Sequence, residues 1–171
     1  MDIFTAIRER RSVREFEKKE IPDEAVRKLI DALLWAPSAG NLQSRKFYFV
    51  KDLPAKQKLA GAAFGQGFVA SAPLVVVACA DTEWVARKYG ERGRELYCIV
   101  DAACSVMCLM LSAHGLGLGS VWVGAFNESE VAKVLGLPAS LKPVALVPVG
   151  YPLMTPSPPK RVPTDEAIVF V

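Results

Sequence analysis

The sequence predicts a globular domain in which helices and strands of mixed order surround one long, apolar core helix. Hydrophobic residues make up 51% of the 171 residues and charged residues 23%, a composition that excludes a disordered chain. Residues 73–80 form an apolar run of strand length, whereas residues 94–114 form a much longer apolar stretch. Neither a repeat nor a second core is evident, so we expect one domain over residues 1–171.

The N-terminal part predicts two helices and a polar loop. Asp2 can cap a short first helix. The apolar stripe of this helix consists of Ile3, Phe4 and Ile7. A second helix starts after Pro22 and must end before Pro37, because proline disfavours a helical residue ahead of it. Its inward side chains would be Val26, Leu29, Ile30, Leu33 and Leu34. The loop SAGNLQ, residues 38–43, follows.

The middle of the chain predicts strands and helices in alternation. The expected strands are residues 46–51, 73–80, 120–124 and 142–151. The expected helices are residues 55–64, the core helix at 94–114, and a helix from the cap Asn127 to Leu135. Because the run at 73–80 is continuously apolar, we expect this strand to be buried on both faces.

The C-terminal residues predict an extended arm. Five prolines between residues 152 and 163 prevent helix formation, so this stretch should run extended over a surface. It leads to AIVFV, residues 167–171, which would be an aggregation hazard as an unpaired strand. The strand must therefore complete a sheet, in its own subunit or in a partner. The extended arm favours a strand-exchanged homodimer, with residues 152–171 as the exchanged arm.

The charge pattern excludes several partners. The formal charge is +3, but residues 1–20 interleave six basic with five acidic side chains, so general affinity for nucleic acid is not expected. Charges at positions 2, 8 and 9 interrupt any apolar leader segment. The uninterrupted apolar stretch before His114 is shorter than the about 20 residues of a membrane span. We therefore expect a cytoplasmic protein without membrane association.

The four cysteines are Cys79, Cys98, Cys104 and Cys108. They lie in apolar surroundings and form no CxxC pair. Cys104 and Cys108 share a helix face, which would permit two metal ligands, but burial as small hydrophobic side chains is the simpler interpretation. We expect reduced, structural cysteines and no metal site.

Residues 8–16, RERRSVREF, place four arginines around one serine. Arg10 and Arg11 follow the end of the first helix, where a cation complements the helix dipole, and a solvated basic turn is the simpler interpretation. That interpretation does not explain Ser12 and Arg14. Several guanidinium forks around a hydroxyl are also an arrangement that holds phosphate, because each fork matches two oxygens and remains charged. From the residues alone, both interpretations remain open.

The glycine-rich stretch GLGLG, residues 115–119, is not in the context of a dinucleotide-binding loop. Rossmann glycines follow a strand and open a helix, whereas these follow a helix and enter a strand. Gly115 suits a left-handed helix end, and Gly117 and Gly119 permit close backbone approach. The only histidine, His114, lies at the helix end, so a histidine-dependent triad has little support. This profile suits an enzyme whose chemistry belongs to an organic cofactor.

Four stretches occur in a specific order and spacing over nearly the whole chain. They are RRSVREF (10–16), APSAGNLQ (36–43), GLGLGSVWVGAF (115–126) and PPKRVPTDE (158–166), with GQGFVASAP (65–73) as a weaker fifth. This pattern resembles the FMN-dependent nitroreductase family of NAD(P)H oxidoreductases. The resemblance implies an α+β fold with a mixed or antiparallel central sheet flanked by helices. It also implies a homodimer with exchanged C-terminal extensions and a cofactor site at the subunit interface.

The resemblance implies a set of FMN-binding residues as well. Contacts to the FMN phosphate, ribityl chain and pyrimidine edge would come from Arg10, Arg11, Ser12 and Arg14. The segment that approaches the flavin from the other subunit would include Pro37, Ser38, Asn41 and Gln43. Arg161 would close on the phosphate from the arm, and Gln66 would contact the ring edge. Backbone groups of Val123 and Gly124, beside Trp122, would lie at flavin N5 and O4.

The chain departs from the family pattern at three places. Many members have Pro-Trp after the second motif, where this chain has Ser44 and Arg45, so its substrate pocket should differ in shape. Some members use a lysine where Phe68 and Val69 stand here, which leaves Arg14 to stabilise the reduced flavin. A long insertion near the core helix is also absent, which predicts a compact pocket that is open to solvent.

The activity implied by the resemblance is a ping-pong transfer of hydride. NAD(P)H would deliver hydride to flavin N5, and a nitroaromatic, quinone or similar small acceptor would then take it in the same site. No catalytic side chain is demanded, because solvent can supply protons. Two alternatives stay open: a specialised relative, such as a reductive dehalogenase or a flavin-modifying enzyme, and an FMN-binding protein without turnover.

Overall fold

The computed structural model describes residues 1–171 and shows an α+β fold around one four-stranded sheet. The strands are β1 (Arg45–Val50), β2 (Leu74–Asp81), β3 (Gly119–Ser120) and β4 (Leu141–Gly150). Their order is β1-β2-β4-β3, and every neighbouring pair is antiparallel. Of the two sheet types that the resemblance allowed, the antiparallel one is therefore present. β1 lies at one edge of the sheet with its outer side unpaired.

Eight helices accompany the sheet. They are α1 (Ile3–Glu9), α2 (Asp23–Leu34), α3 (Leu53–Ala62), α4 (Phe68–Ser71), α5 (Thr82–Arg92), α6 (Cys98–Gly115), α7 (Glu128–Leu135) and α8 (Thr164–Ala167). Capping side chains explain four of the starts, because Asp2, Asp52, Asp81 and Asn127 accept hydrogen bonds from first-turn backbone N–H groups. The predicted helices α1, α2, α3 and α7 are confirmed, with ends that shift by a few residues.

The sheet lies between two helical layers. α2 and α6 pack on one face against Val76 and Ala78 of β2. α3, α4 and α7 pack on the other face with Val75 and Val77 of β2. Because successive residues of a strand point to opposite faces, both sets of side chains are buried. The prediction that 73–80 is a strand buried on both faces is confirmed.

α6 is the core helix that the sequence predicts. By length and composition alone, the helical stretch Thr82–Gly115 could cross a membrane. The stretch is not one straight helix, because Gly90 has a non-helical backbone (φ 56°, ψ −144°) and a wider π-type turn follows at Gly93–Tyr97. α6 buries Val106 and Leu109 against the sheet and α2, which is the packing of a core helix.

Three elements differ from the sequence-based expectations or were absent from them, and the unpaired tail in this chain leaves the predicted pairing with a partner untested. α5 was not predicted, because its surface is polar and only Val85 is buried. The strand expected at 120–124 is much shorter, since after Ser120 only Val123 bridges to β4. The terminal residues 167–171 form no strand in this chain: α8 ends at Ala167 and the rest is exposed and unpaired.

Several apolar side chains that the sequence directs inward lie on the surface instead. The exposed residues are Ile3, Phe4 and Ile7 of α1, and Ile30 and Leu34 of α2. α1 reaches the core only through Ala6, and the inward face of α2 is carried by Leu29 and Leu33. Trp35, which ends α2, is 83% exposed. A contiguous exposed apolar surface of this kind usually marks a site of interaction with another molecule.

Candidate functional site

The arginine segment runs extended beside β3. The Val13 N–H donates to the Ser120 carbonyl oxygen at 3.1 Å, and Ser12 forms a parallel bridge with Ser120. Val13 turns inward onto Gly119, where any Cβ would lie 2.7 Å from the Val13 Cβ. Glycine is therefore required at that position for the close approach. Since side chains alternate along an extended chain, Ser12 and Arg14 lie on the side opposite Val13.

The arginines converge on one cavity of about 340 Å³. Its lining consists of Arg10, Arg11, Ser12, Arg14, Pro156, Ser157, Pro159 and Arg161. No carboxylate is among these residues, so the positive charge is uncompensated. Burial, together with the charges of Arg11 and Arg161, lowers the pKa of Arg10, and its Nη1 is buried without a partner. A cavity of this composition fits an anion with several oxygens, such as a phosphate group.

Arg11 and Arg14 have additional contacts within the chain. The Arg11 Nη1 donates to the carbonyl oxygens of Arg8 (2.7 Å) and Arg10 (3.0 Å), at the C-terminal end of α1. The helix-end interpretation is therefore correct for Arg11, although this residue also lines the cavity. The Arg14 guanidinium lies 5.9 Å from the centre of the Phe68 ring, which connects the cavity to α4.

Gln66 and the segment after β3 lie next to each other. The Gln66 Nε2 donates to the carbonyl oxygens of Ala63 (2.9 Å) and Ala125 (3.1 Å). Both amide hydrogens are thereby engaged, and the Gln66 side-chain oxygen stays available to a ligand. The structure thus brings the fifth motif and the third motif together, although they are far apart in the sequence.

Of the backbone groups of Val123 and Gly124, beside Trp122, that were expected to contact the flavin, only those of Gly124 are free. Val123 is 3% exposed, and both its N–H and its carbonyl are bonded to Leu146, at 2.9 and 3.0 Å. Val123 therefore offers no free backbone group. The N–H of Gly124 donates to no acceptor within the chain, and the residue is exposed. A Cβ at Gly124 would lie 3.2 Å from the Trp122 Nε1, so both residues bound the same space.

The loop 37–43, which contains Pro37, Ser38, Asn41 and Gln43, forms a separate group. The Ser38 Oγ accepts a hydrogen bond from the Gln43 N–H at 3.0 Å. Asn41 and Gln43 have positive φ angles of 54° and 53°, which are unfavourable for residues other than glycine. None of the loop residues lines the arginine cavity. The structure thus places the predicted site residues in two parts of one chain.

Cys98, Cys104, Cys108 and His114 lie in α6, and Cys79 lies in β2. His114 lies in the last turn of α6, and its Nε2 is buried without a partner. All four cysteines are free thiols, and burial raises the pKa of Cys79 to about 12. Cys104 and Cys108 are half-buried. No three His, Cys, Asp or Glu side chains come together as a potential metal site.

Two residues around the loop were not predicted as functional. Arg45 contacts the backbone of residues 34–37, and Asp101 of α6 contacts the backbone of Ala39. For Asp101 the sequence contains a signal, because a carboxylate interrupts the most apolar helix of the chain. For Arg45 the signal is the departure from Pro-Trp in the second motif. Neither signal indicates which groups these side chains contact.

Comparison with known proteins identifies the family. The Nitroreductase family matches residues 7–88 and 62–151. The chain is 31% identical to a NADH dehydrogenase of Thermus thermophilus over a 197-residue alignment, which covers 99% of this chain and 96% of that protein. The chain therefore belongs to the nitroreductase family.

Two solved structures show the same fold. The NfrA2 structure from B. megaterium has a TM-score of 0.91 at 27% identity, covering 99% of this chain and 74% of that one. The NADPH:FMN oxidoreductase from Vibrio harveyi, in complex with NAD+, has a TM-score of 0.91 at 27% identity, covering 98% and 76%. The α+β fold implied by the resemblance is confirmed.

Proposed function

We propose that this chain is an oxidoreductase that passes hydride from NAD(P)H, through FMN, to a nitroaromatic, quinone or similar small acceptor in a ping-pong reaction. Family membership establishes the broader class: the chain is an NAD(P)H-dependent oxidoreductase, and its cofactor is FMN. The observation that carries the proposal is the arginine cavity, which would anchor FMN and has four guanidiniums, two serine hydroxyls and no carboxylate.

The residues of the cavity would hold the FMN phosphate. Arg10, Arg14 and Arg161 supply guanidinium donors, and Ser12 supplies a hydroxyl between them. Each charge-assisted hydrogen bond stabilises the bound state by roughly 1.5–3 kcal/mol. An anion would also relieve the repulsion that Arg10 experiences from Arg11 and Arg161. Held there, FMN would supply the redox chemistry of hydride transfer.

Gly124 and Gln66 would orient the ring system. The free Gly124 N–H and the free Gln66 side-chain oxygen lie at neighbouring segments, so they can hold one donor and one acceptor contact. No side-chain acid or base is needed, because solvent can supply the protons.

The site would be completed by a second copy of the chain. β1 has a free outer edge, and the apolar residues Ile30, Leu34, Phe47 and Phe49 line a groove beside it. Residues 167–171 of the partner could add a strand at this edge, because they are apolar and unpaired in their own chain. The loop 37–43 would then reach the partner's FMN. We further propose a cytoplasmic homodimer without nucleic-acid or membrane partners.

The absorbance spectrum of the purified protein tests this function. We expect FMN to co-purify or to bind on addition, to bleach when NADH or NADPH is added without oxygen, and to recover its colour with a nitroaromatic or a quinone. Protein that never binds FMN would contradict the cofactor site. Bound FMN that neither nicotinamide bleaches would instead support a binding protein without turnover.

A further inference from the structure

Arg45 connects the end of α2 to α6. Its guanidinium donates to four backbone carbonyl oxygens, namely those of Leu34 (3.2 Å), Ala36 (2.7 Å), Pro37 (2.9 Å) and Asp101 (3.3 Å). A helix leaves its last carbonyls without partners, and a cation there also complements the helix dipole. Lysine has only three donors on one nitrogen, whereas the planar guanidinium can serve carbonyls on both sides. Arginine is therefore specifically suited to this position.

Asp101 holds the same region from the opposite side. Its side chain is 4% exposed, and its Oδ1 accepts a hydrogen bond from the Ala39 N–H at 2.9 Å. A buried carboxylate is unfavourable unless hydrogen bonds and a nearby cation compensate for the lost hydration. The Ala39 N–H satisfies Oδ1, and the positive charge of the neighbouring Arg45 favours the ionised carboxylate, whereas Oδ2 is buried without a hydrogen-bond partner. Asp101 and Arg45 thus fix residues 34–39 to the core helix before the loop begins its sharp turns.

The loop needs such support because its backbone is strained. Gly40, Asn41 and Gln43 all have φ angles between 53° and 55°. Asparagine adopts the left-handed region more readily than most residues, whereas Gln43 holds it only where its surroundings enforce it. The Trp84 Nε1 of α5 donates to the Leu42 carbonyl oxygen at 2.9 Å and supports the far end of the loop.

We propose that Arg45 and Asp101 are positioning residues, which preset the loop 37–43 in the conformation that contacts the FMN of the partner subunit. The contact with FMN rests on the proposed function, but the preset conformation does not. A loop that is already ordered loses less conformational entropy when a ligand binds. The chain therefore uses a hydrogen-bonded clamp, formed by the half-buried Arg45 and the buried Asp101, at the position where many family members have tryptophan.

The first test measures the loop without FMN. In Arg45→Met, we expect the amides of Ala39 and Gln43 to exchange hydrogen at least about tenfold faster, because the strained loop loses its support. Arg27→Met is the matched control, since Arg27 is an exposed residue of α2 whose side chain forms no hydrogen bond or ion pair. Unchanged exchange in Arg45→Met would overturn the proposal. If Arg45→Met does not fold, amide exchange is measured in Arg45→Lys instead. Faster exchange would again support the proposal, and unchanged exchange would overturn it.

The second test uses mixed dimers with FMN. One subunit carries Arg45→Met, and the other carries Arg10→Ala with Arg14→Ala. If the loop acts on the partner's site, one site of the mixed dimer combines all the defects and the other has none. We then expect one FMN per dimer at wild-type affinity, although each variant homodimer binds at least about tenfold more weakly, a change of about 1.4 kcal/mol.

The outcomes separate the two proposals. Wild-type affinity in the Arg45→Met homodimer, or a mixed dimer with no tight site, would overturn the positioning role in the partner's site. Wild-type protein that binds no FMN would contradict the proposed function, while the exchange rates of the amides in FMN-free protein would still decide whether the clamp sets the loop.

Discussion

The arginine cavity and the loop 37–43 are both strained in the isolated chain, but in opposite ways. In the cavity the strain is electrostatic: Arg10 is buried beside Arg11 and Arg161, and no carboxylate is present. In the loop the strain is conformational, and hydrogen bonds within the chain compensate for it. A bound anion would relieve the first strain, whereas it would leave the second unchanged. The cavity is thus built to be completed by a ligand, and the loop to be rigid before the ligand arrives.

The two parts also differ in what completes them. The cavity combines residues 10–14 with the arm of the same chain, so one chain forms it. The loop contributes nothing to that cavity and lies beside an exposed apolar surface that includes Leu34 and Trp35. We therefore expect changes at the cavity to act through affinity for FMN, and changes near the apolar surface to act through association of the subunits.

The largest effect should follow from removing residues 157–171. This deletion removes Arg161 from the cavity and AIVFV from the dimer, so both parts of the site are lost together. We expect a mostly monomeric protein. Its affinity for FMN should fall by more than about a hundredfold, because the contacts of Arg161 and those of the partner's loop are lost together, and two charge-assisted hydrogen bonds alone account for about 3 kcal/mol. Light scattering and the absorbance of bound flavin measure the two losses.

A shorter deletion separates the two causes. Removal of residues 164–171 leaves Arg161 in place, so this variant should dissociate but bind FMN more tightly than the longer deletion. Excess FMN should partly restore the dimer, because a ligand bound across both subunits stabilises their association. A protein lacking residues 157–171 that remains dimeric and yellow at low micromolar concentration would contradict the role of the arm.

Single substitutions in the cavity should have the next largest effect. In Arg10→Ala or Arg14→Ala, we expect affinity for FMN to fall by about tenfold to a hundredfold, because each loses a charge-assisted contact with the phosphate. Fluorescence titration measures the change. Arg8→Ala is the control, since Arg8 is exposed and lies outside the cavity. If all three variants bind FMN with the affinity of the wild type, Arg10 and Arg14 are not part of the FMN site.

Gly124→Val should affect turnover more than affinity. The added side chain would meet the Trp122 ring, whose Nε1 lies 3.2 Å from the Cβ position, and would cover the free N–H. We expect NADH-dependent turnover to fall by about tenfold, the effect of one lost hydrogen bond, with little change in melting temperature. Gly61→Ala is a control at a position where nothing lies within 4 Å of the Cβ. Normal turnover in Gly124→Val would show that Gly124 is not part of the site.

The two parts of the site were predictable from the sequence to different degrees. The arginine cavity could be anticipated, because Arg10, Ser12 and Arg14 are close in the chain and share one chemistry. Only the family pattern added Arg161. The support of the loop could not be anticipated, because it depends on which backbone carbonyls the Arg45 side chain reaches, and one of them, in Asp101, lies 56 residues away. A side chain's type indicates what it can bind, and the fold decides which of those groups it reaches.

The fold shows the same limit. The continuous apolar run at residues 73–80 predicted β2 correctly, because a strand between two helical layers must be apolar throughout. The periodic pattern predicted the helices α1 and α2 correctly but not the burial of their side chains, because Phe4 and Leu34 are apolar but exposed. An apolar stripe indicates that a face is covered, but it does not indicate whether the same chain covers it. The sequence did not predict α5 for the converse reason: a helix that buries only Val85 has almost no hydrophobic pattern.

The smallest effect should come from inorganic phosphate, which can occupy the arginine cavity but cannot reach the flavin-contacting groups of the loop. At ten times its dissociation constant, a ligand stabilises the folded state by about 1.4 kcal/mol, which corresponds to a rise in melting temperature of about 3–6 °C for a chain of this length. Phosphate also stabilises proteins generally, so potassium sulfate and potassium chloride at equal ionic strength are needed alongside it. We expect the specific part of the rise to disappear in Arg10→Ala with Arg14→Ala and to persist in Arg45→Met. Loss of the rise in Arg45→Met would show that the cavity and the loop are coupled within one chain. The cavity would then not be a part completed by an anion independently of a loop that is rigid beforehand.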